Sequence, residues 1–419
     1  MAASRNPLPP SSLISIPKSW LIGLGVLFIA PWLIAAGIYA RGTATEAPGA
    51  AAPLPLSEGG GTGPWGQLTI TPIVISPPLE YISDDEGAAE PIVWRMPNTT
   101  SDVAASFLAW SGMPATDAAR LLQSARPDPS TAGIALFPDA ALLRSLTPEV
   151  RARLYLQLAK SRFNSAQAES YRFLGASAAD WFAGSLVSPR TRQIIEPLVY
   201  RDGPFLHFAD LDMVKSEISD EEEWHGLRKA LMRNRTVLVR LNVEAPAEVE
   251  ALTHYWGISG RRTDIRPLLE SIAGAGPAGS IDVVHLLPAL ARNLLYRYPK
   301  LSAGDLDKPI IANCLWSSLN FFAAEPDDRF LDVTTALNTL KSDYYLIESG
   351  HQLGDVIAFL DGHDTIFHAA VYLADGLAFT KNGTSPMAPW TIMSVDNIKA
   401  FYRARADNPR LIYHRRKDL

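Results

Sequence analysis

The sequence has little cysteine: one residue, Cys314, in 419. A single thiol can form neither an internal disulfide framework nor a zinc-finger pattern. It has no excess of positive charge either. Lys and Arg total 38 against 44 Asp and Glu, a net charge of −6, so the basic surface that nucleic acid requires is not expected. No G-x-x-x-x-G-K-[ST] phosphate loop and no G-x-S-x-G serine elbow occurs, and no fixed period marks a solenoid. What remains is an ordinary balance of 47% hydrophobic and 20% charged residues, with length for two or three domains and a sizeable core.

One uncharged run stands out. Trp20 to Ala40, WLIGLGVLFIAPWLIAAGIYA, has 21 residues, enough to cross a bilayer as a helix, with Pro31 tolerable there. Arg5 and Lys18 precede it and Arg41 closely follows. That bias predicts a cytoplasmic tail over 1–18, a single-pass anchor over 19–40 and the bulk of the chain outside the cytoplasm. A cleaved signal peptide is the rival, disfavoured by the length of the run and the lack of a small-x-small cleavage site. Residues 41–64 read as a flexible linker: of positions 42–64, 15 of 23 are Gly, Pro or Ala.

Residues 65–300 read as a mainly helical accessory domain. QLTITPIVI is strand-like, and its prolines suit an edge strand or an extended arm. Thr147-Pro148-Glu149 has the pattern of a helix start. Ser219 and Glu222 fit a capping box, which makes DEEE helix support instead of a binding patch. TVLVRLNV, 236–243, is a strand, and 281–299 is expected to be a buried helix interrupted at Pro288.

The chemistry concentrates in residues 301–419. NCLWSSLNFF places Cys314 at the start of a helix whose Leu315, Leu319 and Phe322 share a face. Backbone N–H groups and the helix dipole there lower a thiol's pKa; the competing reading is a small buried hydrophobe. GDVIAFL is a buried strand, and IFHAAVYLADGLAFTKNG is a hairpin. A three-residue loop, Ala374-Asp375-Gly376, pairs Val371 with Phe379 and Leu373 with Leu377, giving one apolar face. His368 then stands opposite Asn382 on the other face, while Lys381 projects away from them. A thiol, a base and an amide to orient the base are the parts of a nucleophilic site. His351, Asp355, Asp361, His363 and Asp364 could be drawn as a metal cluster. Asp355 is better read as a strand opening and His363-Asp364 as a turn, so no metal and no cofactor is expected.

The order helix-Cys, Gly-Asp strand, then His-Ala-Ala-Val-Tyr-Leu resembles the NlpC type of papain-like cysteine peptidases over roughly the last 120 residues. The resemblance implies a small antiparallel sheet with the cysteine helix packed on it. It further implies Cys314 as nucleophile, His368 as general base and Asn382 as orienting residue, and metal-free cleavage of peptide bonds such as those of peptidoglycan. The chain departs from the family in having Leu315-Trp316 after the cysteine, where small residues are usual. The third residue, often histidine in that family, is here an amide. The expected whole is an α+β, membrane-anchored cysteine hydrolase. A catalytically silent papain-like envelope scaffold and a thioester acyltransferase are the alternatives.

Overall fold

A computed structural model describes residues 60–82, 91–243, 245–276, 279–299, 312–385 and 387–419. Residues 51–419 form one compact unit. Its centre is a six-stranded antiparallel sheet near the C-terminus, and the strand sequences explain its position. The stretches VIAFL and LAFTK are buried along their whole length, as strands covered on both faces must be.

Eight strands matter for the site: β1 (Gly66–Ile75), β2 (Asn234–Asn242), β3 (Tyr344–Ile347), β4 (Val356–Leu360), β5 (Ile366–Ala374), β6 (Leu377–Lys381), β7 (Trp390–Ser394) and β8 (Arg410–Arg416). The large sheet runs β3-β8-β4-β5-β6-β7. Side chains alternate between its faces. Val371, Leu373, Phe379 and Ile392 join Trp316 and Phe321 on one side. Ala370, Tyr372, Ala378 and Met393 join Ile357, Phe359, Val395 and Ile398 on the other.

The expected hairpin register is present where it matters: Val371 pairs with Phe379. The turn is the two residues Asp375-Gly376, with φ of 48° and 70°, a conformation that Asp-Gly tolerates. Ala374 faces Leu377, and a bulge between Tyr372 and Ala374 absorbs the extra residue. Leu373 is that extra residue, so it does not face Leu377.

One hydrophobic cluster joins described residues on both sides of the expected domain boundary at 300. Leu68, Val237, Leu241 and Trp256 pack in the same cluster as Val371, Phe379 and Ile392. Thr236 fastens β2 to β7: its hydroxyl donates to the Ile392 carbonyl (2.8 Å) and accepts from the Ile392 N–H (3.1 Å). β1 pairs with β2 along its whole length, and on its other side only Thr62–Gly63 meets it, at Gly66 and Gln67. Pro72 thus lies where β1 is an edge.

Three expectations need correction. Among the described residues no helix is long and apolar enough to cross a membrane. The longest, Arg262–Gly274, has 13 residues and carries four charges, Arg262, Asp264, Arg266 and Glu270. At 1.5 Å per residue it spans about 20 Å, short of a hydrocarbon core of about 30 Å. The single-pass architecture and membrane localisation are therefore not supported, and the fold is mixed α/β with antiparallel sheets. The run Trp20–Ala40 lies outside the described residues.

Second, the region 65–300 is less helical than expected. Beside the β1–β2 sheet it holds two three-stranded antiparallel sheets, Trp94–Met96 with Gly133–Leu136 and Arg126–Asp128, and Tyr171–Leu174 with Phe205–Phe208 and Tyr200–Asp202. A short 3-10 turn, Val283–Leu286, closes at Leu287, and Pro288 precedes the helix Ala289–Leu294, so no long buried helix forms over 281–299. Thr147 caps its helix as read, whereas Asp220, not Ser219, caps Glu221–Leu231 by accepting from the Glu223 N–H (2.7 Å).

Third, the end of the expected linker belongs to the fold. Thr62–Gly63 is a short strand, and the Gly61 N–H donates to Asp375 Oδ2 (2.6 Å) at the tip of the β5–β6 hairpin. Residues 41–59 lie outside the described residues.

Candidate active site

Asn313 starts the cysteine helix, Cys314–Leu319. Its side-chain oxygen accepts from the Trp316 N–H (2.8 Å), and its carbonyl accepts from the Ser317 hydroxyl (2.7 Å). The helix packs on β5 and β6. Leu315 and Leu319 bury themselves with Ala336, Leu340, Val356 and Ala369, and Cys314 lies against this cluster. Alanine at 369 leaves the helix room to approach the strand. Trp316 faces Trp390 with ring centroids 6.5 Å apart, and the Trp390 indole N–H donates to Ser317 Oγ (2.8 Å). The bulky Leu315-Trp316 pair is thus core.

Cys314 as a residue is of intermediate exposure, but its thiol lies in buried surroundings. Burial pushes its pKa up; hydrogen bonding from the backbone N–H groups of Ala369, Leu315 and Cys314 itself and the charge of Lys381 pull the other way without prevailing. The expected lowering at a helix start is therefore not realised. The helix has only six residues, and desolvation outweighs its terminal N–H groups.

His368 is 1% exposed. Its Nε2 lies 2.9 Å from Thr380 Oγ1, and the Thr380 hydroxyl donates to Asn382 Oδ1 (3.2 Å). The Asn382 amide donates in turn to Met393 Sδ (3.0 Å). A threonine hydroxyl has one proton to give. Having given it to Asn382, Thr380 accepts from His368, which fixes the Nε2–H tautomer. Nδ1 is then an acceptor, and it is buried without a partner. The ring rests against Phe359 (5.3 Å) and Tyr402 (4.4 Å). Burial pushes its pKa down to about 3, so the imidazole is neutral at pH 7.

Of the residues expected to form the site, the structure joins two. Asn382 holds His368, through Thr380 instead of directly, and the sequence reasoning missed Thr380. The hairpin register that set His368 opposite Asn382 also sets Ala370 opposite Thr380 and could have revealed it. Cys314 makes no hydrogen bond to the ring. Its helix covers the face that carries Ala369 and Val371, whereas His368 shares the face of Phe359 and Tyr402.

Lys381 and Tyr402 both interact with the thiol electrostatically. Lys381 is 0% exposed. The hairpin register is expected to project it away from His368. That orientation is correct, and it is the reason Lys381 lies on the cysteine's side. Of the acidic and histidine residues weighed as a metal cluster, Asp355 is committed elsewhere: both its oxygens accept from the Arg415 guanidinium, at 2.7 and 2.8 Å.

Comparison with known proteins finds no matching family model, no matching curated protein and no matching solved structure.

Proposed function

We propose that the chain is a cysteine-dependent hydrolase of peptide or amide bonds, with Cys314 as nucleophile. The observation that carries this reading is the setting of the thiol. The residue is of intermediate exposure and stands at a helix start, backbone N–H groups pull its thiol pKa down against burial, and the buried Lys381 amine interacts with it electrostatically. Such groups stabilise a thiolate, and N–H donors near it also suit a developing oxyanion. Attack by sulfur on the carbonyl carbon expels the amine and leaves a thioester, which water hydrolyses. Peptide cross-links of the peptidoglycan kind are the substrates that the resemblance implies.

The deciding experiment is hydrolysis of such peptides by the wild type, Cys314→Ala and Cys314→Ser. Activity in the wild type that both variants lose is the expected result; equal activity in Cys314→Ala would refute the reading.

A second reading, a catalytically silent scaffold, draws on the raised thiol pKa and the missing Cys314–His368 hydrogen bond. It expects no hydrolysis and a thiol that resists alkylation up to pH 9.

A further inference from the structure

The polar contacts of Lys381 single it out. Its Nζ donates to the carbonyls of Gly383 (2.9 Å) and Ser385 (3.2 Å). A neutral amine has two N–H donors and one lone pair, whereas an ammonium has three donors. Two carbonyls therefore satisfy the neutral form completely and leave its lone pair unengaged. No carboxylate pairs with Lys381 among the described residues.

The strand register places it. Continuing the Val371–Phe379 pairing by two residues sets Lys381 across from Ala369, a residue of the cluster against which Cys314 lies. Lys381 also pairs with Trp390, whose ring lies 5.6 Å from its Nζ, on the side where the cysteine helix packs. Aromatic faces stabilise an ammonium, so this ring favours the protonated form once it arises.

Resting on the hydrolase reading, we propose that Lys381, and not His368, is the base that takes the Cys314 proton. The lone pair on Nζ accepts the S–H proton, giving a thiolate and an ammonium with no net change in charge. The thiolate forms the C–S bond, the C–N bond breaks, and the ammonium proton leaves on the departing amine. In the second half the neutral amine takes a proton from water as the C–O bond forms. The C–S bond then breaks, and the sulfur recovers the proton.

The titratable groups on the surrounding elements are His368 on β5, Tyr344 at the start of β3, Tyr402 beyond the helix Val395–Phe401, and Asp328. His368 lies on the other face, and Asp328 Oδ1 is engaged by the Trp316 indole N–H (3.0 Å). The Lys381 pKa is lowered to about 8 by burial, with the thiol pulling it back up. That places it where a base for work near neutral pH is effective.

The test measures the rate of Cys314 alkylation by iodoacetamide from pH 6 to 10, read by intact mass, beside peptide hydrolysis. Near-ultraviolet circular dichroism serves as the fold control. In Lys381→Met the alkylation rate at pH 8 should fall about tenfold or more, equivalent to a pKa rise of about one unit. Lys381→Arg should keep rapid alkylation but lose hydrolysis, because a guanidinium attracts a thiolate yet cannot carry its proton. His368→Ala should leave the alkylation profile in place.

A wild-type profile in Lys381→Met, retained hydrolysis in Lys381→Arg, or a profile abolished in His368→Ala would each overturn the proposal. If Lys381→Met does not fold, the Arg and Ala variants still decide. Lys381-dependent alkylation without hydrolysis in the wild type would remove the hydrolase reading and leave the thiol–amine pair standing.

Discussion

Two buried polar clusters in this chain differ in which polar atoms they leave without a partner. In the region of the small sheets, Arg151 and Asp210 are both almost completely buried. Arg151 Nη1 donates to Asp210 Oδ2 and to the Tyr155 hydroxyl (3.2 Å), Nη2 donates to the Leu143 carbonyl, and the Tyr155 hydroxyl donates to Asp210 Oδ1 (2.5 Å). Nearby, His207 Nδ1 lies 3.0 Å from Ser170 Oγ, and the ring stacks on Tyr200 at 5.2 Å. A buried serine–histidine pair invites a catalytic interpretation. Here it is 5–8% exposed and closed in by aromatic rings, and it serves packing.

In the first cluster the group left over is a donor, Arg151 Nε, which is buried without a partner; in the C-terminal sheet the groups left over are acceptors. His368 Nδ1 has no partner, and the two carbonyls on Lys381 leave its amine lone pair free. A spare guanidinium N–H can only donate, whereas a spare imidazole nitrogen or amine lone pair can take up a proton.

The contrast can be broken most forcefully at Asp210. Asp210→Ala leaves a buried guanidinium without its carboxylate, which should cost about 3–5 kcal/mol of stability, read by urea unfolding. Because the first cluster is structural, the folded variant should keep the wild-type Cys314 alkylation profile. A smaller effect is expected at Thr380. Thr380→Val removes the acceptor of His368 Nε2 and should cost about 1–3 kcal/mol; a neutral result would show that the ring is not held through that hydroxyl.

A third probe is pH. His368 has a folded-state pKa of about 3, below the unfolded value of about 6.5. The unfolded chain therefore binds the extra proton first. The stability that His368 contributes is complete above pH 6.5 and is lost as pH falls toward 3, at about 1.4 kcal/mol per unit. His207, also driven well down by burial, acts in the same direction. Urea midpoints between pH 7 and 4 should show a shallower slope in His368→Gln; an unchanged slope would contradict a buried neutral ring.

Part of this was readable in the residues. The apolar alternation of β5 and β6 fixed Val371 against Phe379, and Thr147-Pro148 announced its helix. The sides of the hairpin carrying His368 and Lys381 followed from the register alone. Which of those sides the cysteine helix covers did not follow, because that depends on Ala369, Leu315 and Val356 fitting together in three dimensions. The same limit applies to the region before residue 300. Strands of three or four residues such as Trp94–Met96, paired with partners some 40 positions away, are too short to show a period.

The bond from Gly61 to Asp375 spans 314 residues, and residues as distant as Leu68 and Ile392 share one cluster. While the chain is being made, the early strand β1 and its neighbour β2 must wait for β7 before their apolar side chains are sheltered. Such non-local closure slows folding. The nascent protein therefore has an extended interval in which Leu68, Val237 and Leu241 are open to a chaperone or to aggregation, ending only when β7 has left the ribosome.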